Sequence, residues 1–250
     1  MRIISTCPSN TEILFSLGLG DSVVGVDNSS DWPKGVDKIP KIGPDLQIDI
    51  EKVKSFKPDL VVSSLSVPGM ENVVNGLKKA NIRQIVLAPK SISDIFSDIG
   101  KVAKACGRED RSKELLRTLE RRVKAVEKTG SRKVYWEWWP RPFITCGKKA
   151  WMNEVIEKAG GKNIFSDRSD ESPQVNEEEI IEKNPDAIIV CWCGSLQKLQ
   201  DAKKVYARKW GVAATENKKV FCVPEQLFGR PSQRLIEGLE MLSGLLGEKA

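Results

Sequence analysis

The feature that most constrains the fold of this chain is the alternation of short, β-branched apolar runs with amphipathic segments in both halves of the sequence. Such alternation predicts βα units around a mostly parallel sheet, and therefore an α/β fold. In the first half, the predicted strands are 2–5, 22–26, 60–63 and 84–87, and the predicted helices are 11–17, 50–55, 70–79 and 92–106. In the second half, the predicted strands are 133–138, 187–190 and 219–223, and the predicted helices are 151–159, 176–182 and 234–246.

A phrase that occurs once in each half indicates two lobes of similar build. In both places a helical segment stops before a Pro-Asp dipeptide, Pro58-Asp59 and then Pro185-Asp186, and an apolar strand follows. Proline cannot continue a helix and disfavours helical geometry in the residue before it, so the dipeptide marks the turn between helix and strand.

The segment 108–128 lies between the halves and contains neither glycine nor proline. A flexible hinge would show clusters of such residues, so we predict one rigid helix here. The predicted organisation is an N-terminal lobe over 1–107, a linking helix over 108–130 and a C-terminal lobe over 131–250.

Histidine is absent from the chain. Its absence excludes Ser-His-Asp and Cys-His nucleophiles and removes the commonest general base and metal ligand. Cys191 and Cys193 form the one closely spaced cysteine pair, and without histidine such a pair is weak support for a metal site. The absence of histidine removes most hydrolase, zinc and haem-imidazole hypotheses, but it does not remove carboxylate or lysine chemistry. We predict no catalytic residue, no metal and no required cofactor, with thiols that are reduced and partly buried.

The formal charge of +6 arises from basic residues that are mixed with acidic ones along most of the chain. This mixture indicates a solvated surface and no nucleic-acid partner. No stretch approaches the roughly 20 apolar residues of a membrane-spanning helix. The first residues already have the pattern of a strand, with no secretion signal before them, so for this sequence we expect a location in the cytoplasm, or outside it if a leader or lipid anchor has been removed. We also expect a monomer.

Several phrases, taken in order, resemble one known family. They are RIISTCPSNTEIL at 2–14, LGLGD at 17–21, VGVD at 24–27, SDWP at 30–33, EKVKSFKPDL at 51–60, WMNEVIEKAGGKNIF at 151–165 and PSQRLIEGL at 231–239. The chain resembles the helix-linked (class III) solute-binding proteins of ABC importers, and YWEWWPRP at 135–142 is similar to their cobalamin-binding branch. The resemblance implies two Rossmann-like lobes with mostly parallel sheets, joined by a single long α-helix, that hold cobalamin or another corrinoid in the cleft between them.

Candidate ligand-binding residues are the aromatic, charged or hydroxyl side chains that follow strands, where α/β proteins bind ligands. They are Trp32, Ser64, Glu137, Trp139, Arg141, Trp192, Phe228 and Arg230. Flat rings would contact a macrocycle, and Arg141 would meet a carboxylate, amide or phosphate group. The pleat places Trp136 and Trp138 together on one face, which we expect in the core, and leaves Glu137, Trp139 and Arg141 for the ligand.

Structural roles for the same residues stay open. The aromatic side chains of 136–143 could pack into the core, with Pro140 and Pro142 ending the strand. In the first lobe, Ser9 and Asn10 follow the first strand and could hydrogen-bond a polar ligand, but either of them could equally cap the helix over 11–17.

The resemblance also implies a permease partner. In the family, one surface acid on each lobe meets arginines of the permease. Glu71 falls at the matching place in the first lobe, whereas Gly229 occupies the matching place in the second lobe and Glu225 is the nearest acid.

Three alternatives remain. A ferric siderophore would need several convergent cations, for which Arg141, Arg230 and Arg234 are the candidates. Haem is disfavoured, because histidine is absent and Tyr135 and Tyr206 are the only tyrosines. A metal-cofactor enzyme of chelatase-like architecture and a partner-binding module are the alternatives of other classes.

Overall fold

The computed structural model describes residues 1–128 and 130–247, with side chains for all of these except 195–197. The chain divides into two compact units. Unit 1 comprises Met1–Glu120 and Pro231–Gln233, and unit 2 comprises Arg121–Arg230 and Arg234–Ala250. The boundary therefore falls inside the predicted linking segment, and a three-residue segment from near the C-terminus belongs to unit 1.

Unit 1 contains a four-stranded parallel sheet with the strand order β2-β1-β3-β4. Its strands are β1 (Ile3–Ser5), β2 (Val23–Val26), β3 (Leu60–Ser64) and β4 (Gln84–Leu87). Its helices are α1 (Pro8–Ser16), α2 (Ile50–Ser55), α3 (Glu71–Lys79), α4 (Ile92–Cys106) and α5 (Glu109–Ala125), the last of which continues into unit 2. The predicted strands and helices of this half are confirmed, with shifts at their ends.

The largest shift is at α1, which begins at Pro8 rather than at Thr11. Proline is well suited to the first helical position, because the amide hydrogen that it lacks would have no partner within the helix. The cap residue is Cys7, so neither Ser9 nor Asn10 caps the helix. The Asn10 side chain instead donates to the carbonyl oxygen of Val62 at 3.0 Å, which ties α1 to β3.

In the described residues of unit 2, seven strands form two sheets. They are β5 (Arg132–Glu137), β6 (Trp139–Pro140), β7 (Phe143–Ile144), β8 (Gly161–Asn163), β9 (Gln174–Val175), β10 (Ala187–Val190) and β11 (Val220–Cys222). The larger sheet is parallel with the order β11-β10-β5-β8, and the smaller is antiparallel with the order β6-β7-β9. Sequence periodicity does not predict the smaller sheet, because each of its strands is only two residues long.

The helices of unit 2 are α6 (Trp151–Lys158), α7 (Glu177–Lys183), α8 (Ala202–Tyr206), α9 (Ala213–Glu216), α10 (Glu225–Phe228) and α11 (Leu235–Gly247). Within the parallel sheets of both units, the strand that comes first along the chain lies between the second and the third, and the fourth follows the third. The two units therefore share one topology, as the two-lobe prediction requires.

The repeated Pro-Asp dipeptide makes the same contacts in both units. In unit 1, Asp59 donates its amide to the carbonyl of Arg2 at 2.8 Å, and its carboxylate accepts the Arg2 amide at 2.7 Å. In unit 2, Asp186 makes the same pair of bonds to Lys133, both at 2.7 Å. The residue before each proline is left-handed, with φ of 46° and 43°. Each aspartate thus fixes the start of its strand beside the first strand of its sheet.

Each unit has its own apolar core. In unit 1 the core lies around Ile4, Val53, Val61 and Leu77, and in unit 2 it lies around Tyr135, Phe165, Ile188 and Trp210, with the Tyr135 and Phe165 ring centroids 6.1 Å apart. Within the described ranges, no helix combines the length and apolar character needed to cross a membrane.

Candidate functional site

In unit 1, a network of hydroxyl groups orders the loops at the carboxyl ends of β1 and β2. The hydroxyls of Thr11 and Ser30 lie 2.7 Å apart, and that of Ser30 donates to the carboxylate of Asp27. The same carboxylate accepts the Ser29 amide at 2.7 Å. The network holds this loop against α1 just before Trp32, whose side chain is half-buried.

Burial controls the titration of the groups beneath this edge of unit 1. It raises the pKa values of Asp27 and Asp45, and it raises the pKa of the Cys7 thiol to about 12. A thiol with that pKa stays protonated at neutral pH and is a poor nucleophile.

Ser64, a predicted ligand contact, has an internal role. Its side chain is buried, its hydroxyl donates to that of Ser66 at 2.9 Å, and it accepts the Ser66 amide at 3.1 Å. These bonds shape the loop after β3. The hydroxyl of Ser64 is thus engaged with its own loop.

Three apolar side chains that the sequence analysis did not single out lie exposed at this edge of unit 1. Leu46, Leu65 and Val67 are 41%, 36% and 39% exposed. Leu46 approaches the loop after β3, because a Cβ atom placed on Gly69 would lie 3.5 Å from it. An exposed group of large apolar side chains is a common mark of a binding surface. The available signal was their position, since Leu65 and Val67 directly follow a buried strand.

In unit 2, the carboxylate of Glu137 is fully buried and bonded on all sides. It accepts two hydrogen bonds from Arg208, at 2.5 and 2.9 Å, one from the indole of Trp192 at 2.8 Å and one from the hydroxyl of Tyr135 at 3.2 Å. A buried charge requires such partners. The prediction that Glu137 contacts a ligand is therefore replaced by an internal role, since its oxygens are already used within unit 2.

Trp192 and Phe228 are internal as well. Trp192 is 3% exposed and donates to Glu137, and Lys204 places its ammonium group 5.5 Å from the ring centroid. Phe228 is fully buried, with its ring centroid 5.2 Å from that of Trp136. Their side chains pack within unit 2 and are not presented at its surface.

The short hairpin β6–β7 carries the two remaining candidates of the aromatic run. Trp139 is half-buried and donates its indole hydrogen to the carbonyl of Arg141 at 3.0 Å, and the side chain of Arg141 is exposed. Trp136 and Trp138 share the opposite side, with ring centroids 5.3 Å apart, as the pleat predicts. Trp139 and Arg141 are therefore the members of this run that reach the surface.

The predicted second-lobe docking acid does not lie on an open surface. The side chain of Glu225 is 15% exposed, and its carboxylate lies 3.6 Å from the guanidinium of Arg230, which is itself buried. It also covers Gly229, where an added Cβ atom would lie 2.6 Å from the carboxylate. Glu225 therefore differs from the open surface acid that the resemblance implies, and its docking role stays a prediction. Glu71, in contrast, is exposed at the first turn of α3.

The cysteine side chains offer no metal centre. All six are free thiols, and burial raises the pKa values of Cys146 and Cys193 to about 12 and that of Cys191 well above its usual range. Among the residues that the structure describes, no three His, Cys, Asp or Glu side chains are arranged to hold a metal ion.

Comparisons with known proteins connect this geometry to a family. The profile of a family described as periplasmic binding protein matches residues 3–227. An uncharacterised ABC transporter substrate-binding lipoprotein of Bacillus subtilis is 33% identical over 97% of this chain and 78% of its own length. A vitamin B12-binding protein of Salmonella choleraesuis is 28% identical over 99% of this chain and 90% of its own.

A solved structure has a similar fold. It is a possible iron-binding (periplasmic solute-binding) protein from Staphylococcus epidermidis, 28% identical to this chain, with a TM-score of 0.82 over 99% of this chain and 98% of its own.

Proposed function

We propose that this chain, which belongs to the periplasmic binding protein family, binds a corrinoid reversibly and without covalent chemistry. As a member of that family it is a substrate-binding component of an ABC transporter. Its relatives are non-catalytic, so the prediction that the chain is not an enzyme is confirmed. The role as a substrate-binding component and the fold follow from the family, whereas the identity of the ligand as a corrinoid is our proposal.

The observation that carries the proposal is the chemical character of the half-buried and exposed side chains in the loops of unit 1 and the hairpin of unit 2. Unit 1 presents Trp32, Leu46 and Leu65, and unit 2 presents Trp139 and Arg141. A corrin has broad apolar faces and a rim of amides, which suit rings and aliphatic side chains on its faces and hydrogen-bonding groups at its edge. The similarity to a vitamin B12-binding protein over 99% of the chain supports the same ligand class.

A ferric siderophore is the second candidate, because the Staphylococcus epidermidis structure is described as a possible iron-binding protein. An anionic chelate requires uncompensated cations in its site. Arg208 is paired with Glu137, and Arg230 lies beside Glu225, so acids of the chain balance both. Arg141 is an exposed cation, but one such group is fewer than the several convergent cations that a ferric siderophore needs, which favours the corrinoid.

We further propose that Glu71 contacts the permease, since its exposed carboxylate lies at the place that the family resemblance implies. Because the Bacillus subtilis relative is a lipoprotein, we propose that this protein works outside the cytoplasm.

Binding is tested by isothermal titration calorimetry and equilibrium dialysis with hydroxocobalamin, cyanocobalamin and a ferric siderophore. We expect saturable binding of the corrinoids and weaker binding in Trp32→Ala and Trp139→Ala. Failure of both corrinoids to bind would refute the proposal, and tight binding of the siderophore alone would favour the second candidate.

A matched pair of aliphatic variants tests the site in unit 1. Leu65 and Ile181 are exposed to similar extents, 36% and 39%, but Ile181 lies on α7, before the start of β10. Leu65→Ala is expected to weaken corrinoid binding, whereas Ile181→Ala is expected to leave it unchanged. Equal effects of the two variants would exclude the loop after β3 from the site.

A further inference from the structure

Arg208 makes two kinds of contact in unit 2. Its guanidinium group donates two hydrogen bonds to Glu137, at 2.5 and 2.9 Å. The same group lies 5.0 Å from the ring centroid of Phe143 and 4.9 Å from that of Trp210. The two rings also contact each other, with centroids 5.7 Å apart at an interplanar angle of 73°. One side chain thus joins the end of β5, strand β7 and the segment after α8.

These contacts bracket the hairpin that carries Trp139 and Arg141. Glu137 is the last residue of β5, two positions before Trp139, and Phe143 is the first residue of β7. The hairpin strands are two residues each, and their further strand partner, β9, is equally short, so this small sheet depends on side-chain support. Arg208 supplies support at both ends of the segment, and it is only 14% exposed.

We propose that Arg208 is a positioning residue that fixes the β6–β7 hairpin and thereby sets the places of Trp139 and Arg141 for the ligand. The inference rests on the proposed function for its consequence in binding, but the support of the hairpin does not depend on any ligand. Arginine is required because its planar fork binds a carboxylate through two nitrogens while its face lies against aromatic rings, which a lysine ammonium cannot reproduce. Glu137 then has a purpose in the site without touching the ligand.

Hydrogen exchange tests the support directly. The amide of Trp138 donates to Ile144 at 2.8 Å across the hairpin and reports on its opening. In Arg208→Gln we expect this amide to exchange about tenfold faster. Without the Arg208 contacts the hairpin opens locally more often, and each opening exposes the Trp138 amide to solvent. An unchanged rate in a folded Arg208→Gln protein overturns the proposal.

Arg122→Gln is the matched control for this experiment. Arg122 also donates two hydrogen bonds to one carboxylate, that of Glu240, at 2.8 and 2.7 Å, and both residues belong to unit 2. They lie on α5 and α11, so their loss is expected to leave the exchange of Trp138 unchanged. If both arginine variants accelerate exchange equally, general destabilisation explains the result and the positioning role is rejected.

Corrinoid affinity tests the consequence in binding. Residues that orient ligand-binding groups typically contribute about tenfold or more to affinity in metal sites, and we expect about tenfold weaker binding for Arg208→Gln. Arg208→Lys should restore part of this loss, and Arg122→Gln should bind like the natural protein. In a Trp139→Ala/Arg141→Ala background, Arg208→Gln should add little, because it acts through these two residues; fully additive losses contradict this.

The design separates the two proposals. If the natural protein binds no corrinoid, the proposed function fails, while the exchange of Trp138 still decides the role of Arg208. If Arg208→Gln does not fold, Glu137→Gln removes the charge of the partner with little change of shape, and the same acceleration of exchange is expected. Corrinoid binding by the natural protein together with an unaltered hairpin in Glu137→Gln refutes the positioning role alone.

Discussion

Glu137→Ala provides the most demanding test of the internal network in unit 2. The carboxylate is fully buried and accepts four hydrogen bonds, so its removal leaves a guanidinium, an indole and a phenol without their shared acceptor. Removal of one partner from a buried ion pair costs about 3–5 kcal/mol. Because Arg208 is 14% exposed, water can solvate part of it, and we expect a loss near the lower limit, about 3 kcal/mol.

Urea denaturation followed by tryptophan fluorescence measures this loss. Six of the seven tryptophans lie in unit 2 and only Trp32 lies in unit 1, so the signal reports mainly on the unit that carries the substitution. A loss of about 3 kcal/mol is a large part of the 5–15 kcal/mol that stabilises a typical domain, and it would shift the midpoint clearly.

Glu240→Ala is the control for Glu137→Ala. It removes an equally close arginine partner, but the side chains of Arg122 and Glu240 are 35% and 42% exposed. Exposed pairs contribute about 0–1 kcal/mol, so a small effect is expected. If Glu137→Ala destabilises unit 2 by less than about 1 kcal/mol, or by no more than Glu240→Ala, the assignment of Glu137 as a buried, fully paired charge is wrong.

Two further predictions concern the repeated turn and the buried acids of unit 1. Asp186→Ala should lower the stability of unit 2, and Asp59→Ala that of unit 1, each by about 1 kcal/mol for the lost hydrogen bond to a strand amide. Hydrogen exchange, measured separately for the amides of each unit, checks this prediction. If either variant destabilises only the other unit, the two aspartates do not have equivalent roles. Burial raises the pKa of Asp27 above 3.8, so the folded state binds more protons and its stability falls as the pH rises from 3.8 through the raised pKa. Asp27→Asn should flatten that fall in thermal midpoints measured against pH; an unchanged slope would assign it to other groups.

The sequence predicts most of the regular elements because their signal is local. The strand over 84–87 and the helices over 50–55 and 92–106 have the predicted bounds, since apolar periodicity and caps lie within each segment. The antiparallel sheet β6-β7-β9 is too short for any period to appear. Its third strand, β9, pairs with β7 from a distant part of the chain, as in the partners Phe143 and Val175.

Within the aromatic run, strand parity predicts correctly that Trp136 and Trp138 share a face. Parity also assigns Glu137 to the other face, which the sequence analysis predicts for the ligand. That face is buried too, and the partner that neutralises Glu137 is Arg208, 71 residues further along the chain. The sequence around Glu137 or around Arg208 contains no pattern that predicts this ion pair.

The sequence by itself determined the α/β class, the two similar halves and the family, because these depend on patterns repeated along the chain. Tertiary structure decided which of the candidate side chains are buried against internal partners and which reach the surface. Glu137, Ser64 and Glu225 have internal partners, whereas Trp139, Arg141 and Leu65 reach the surface. The physical reason is that a buried charge or hydroxyl must find a partner, and the chain brings that partner from a distance that no local pattern records.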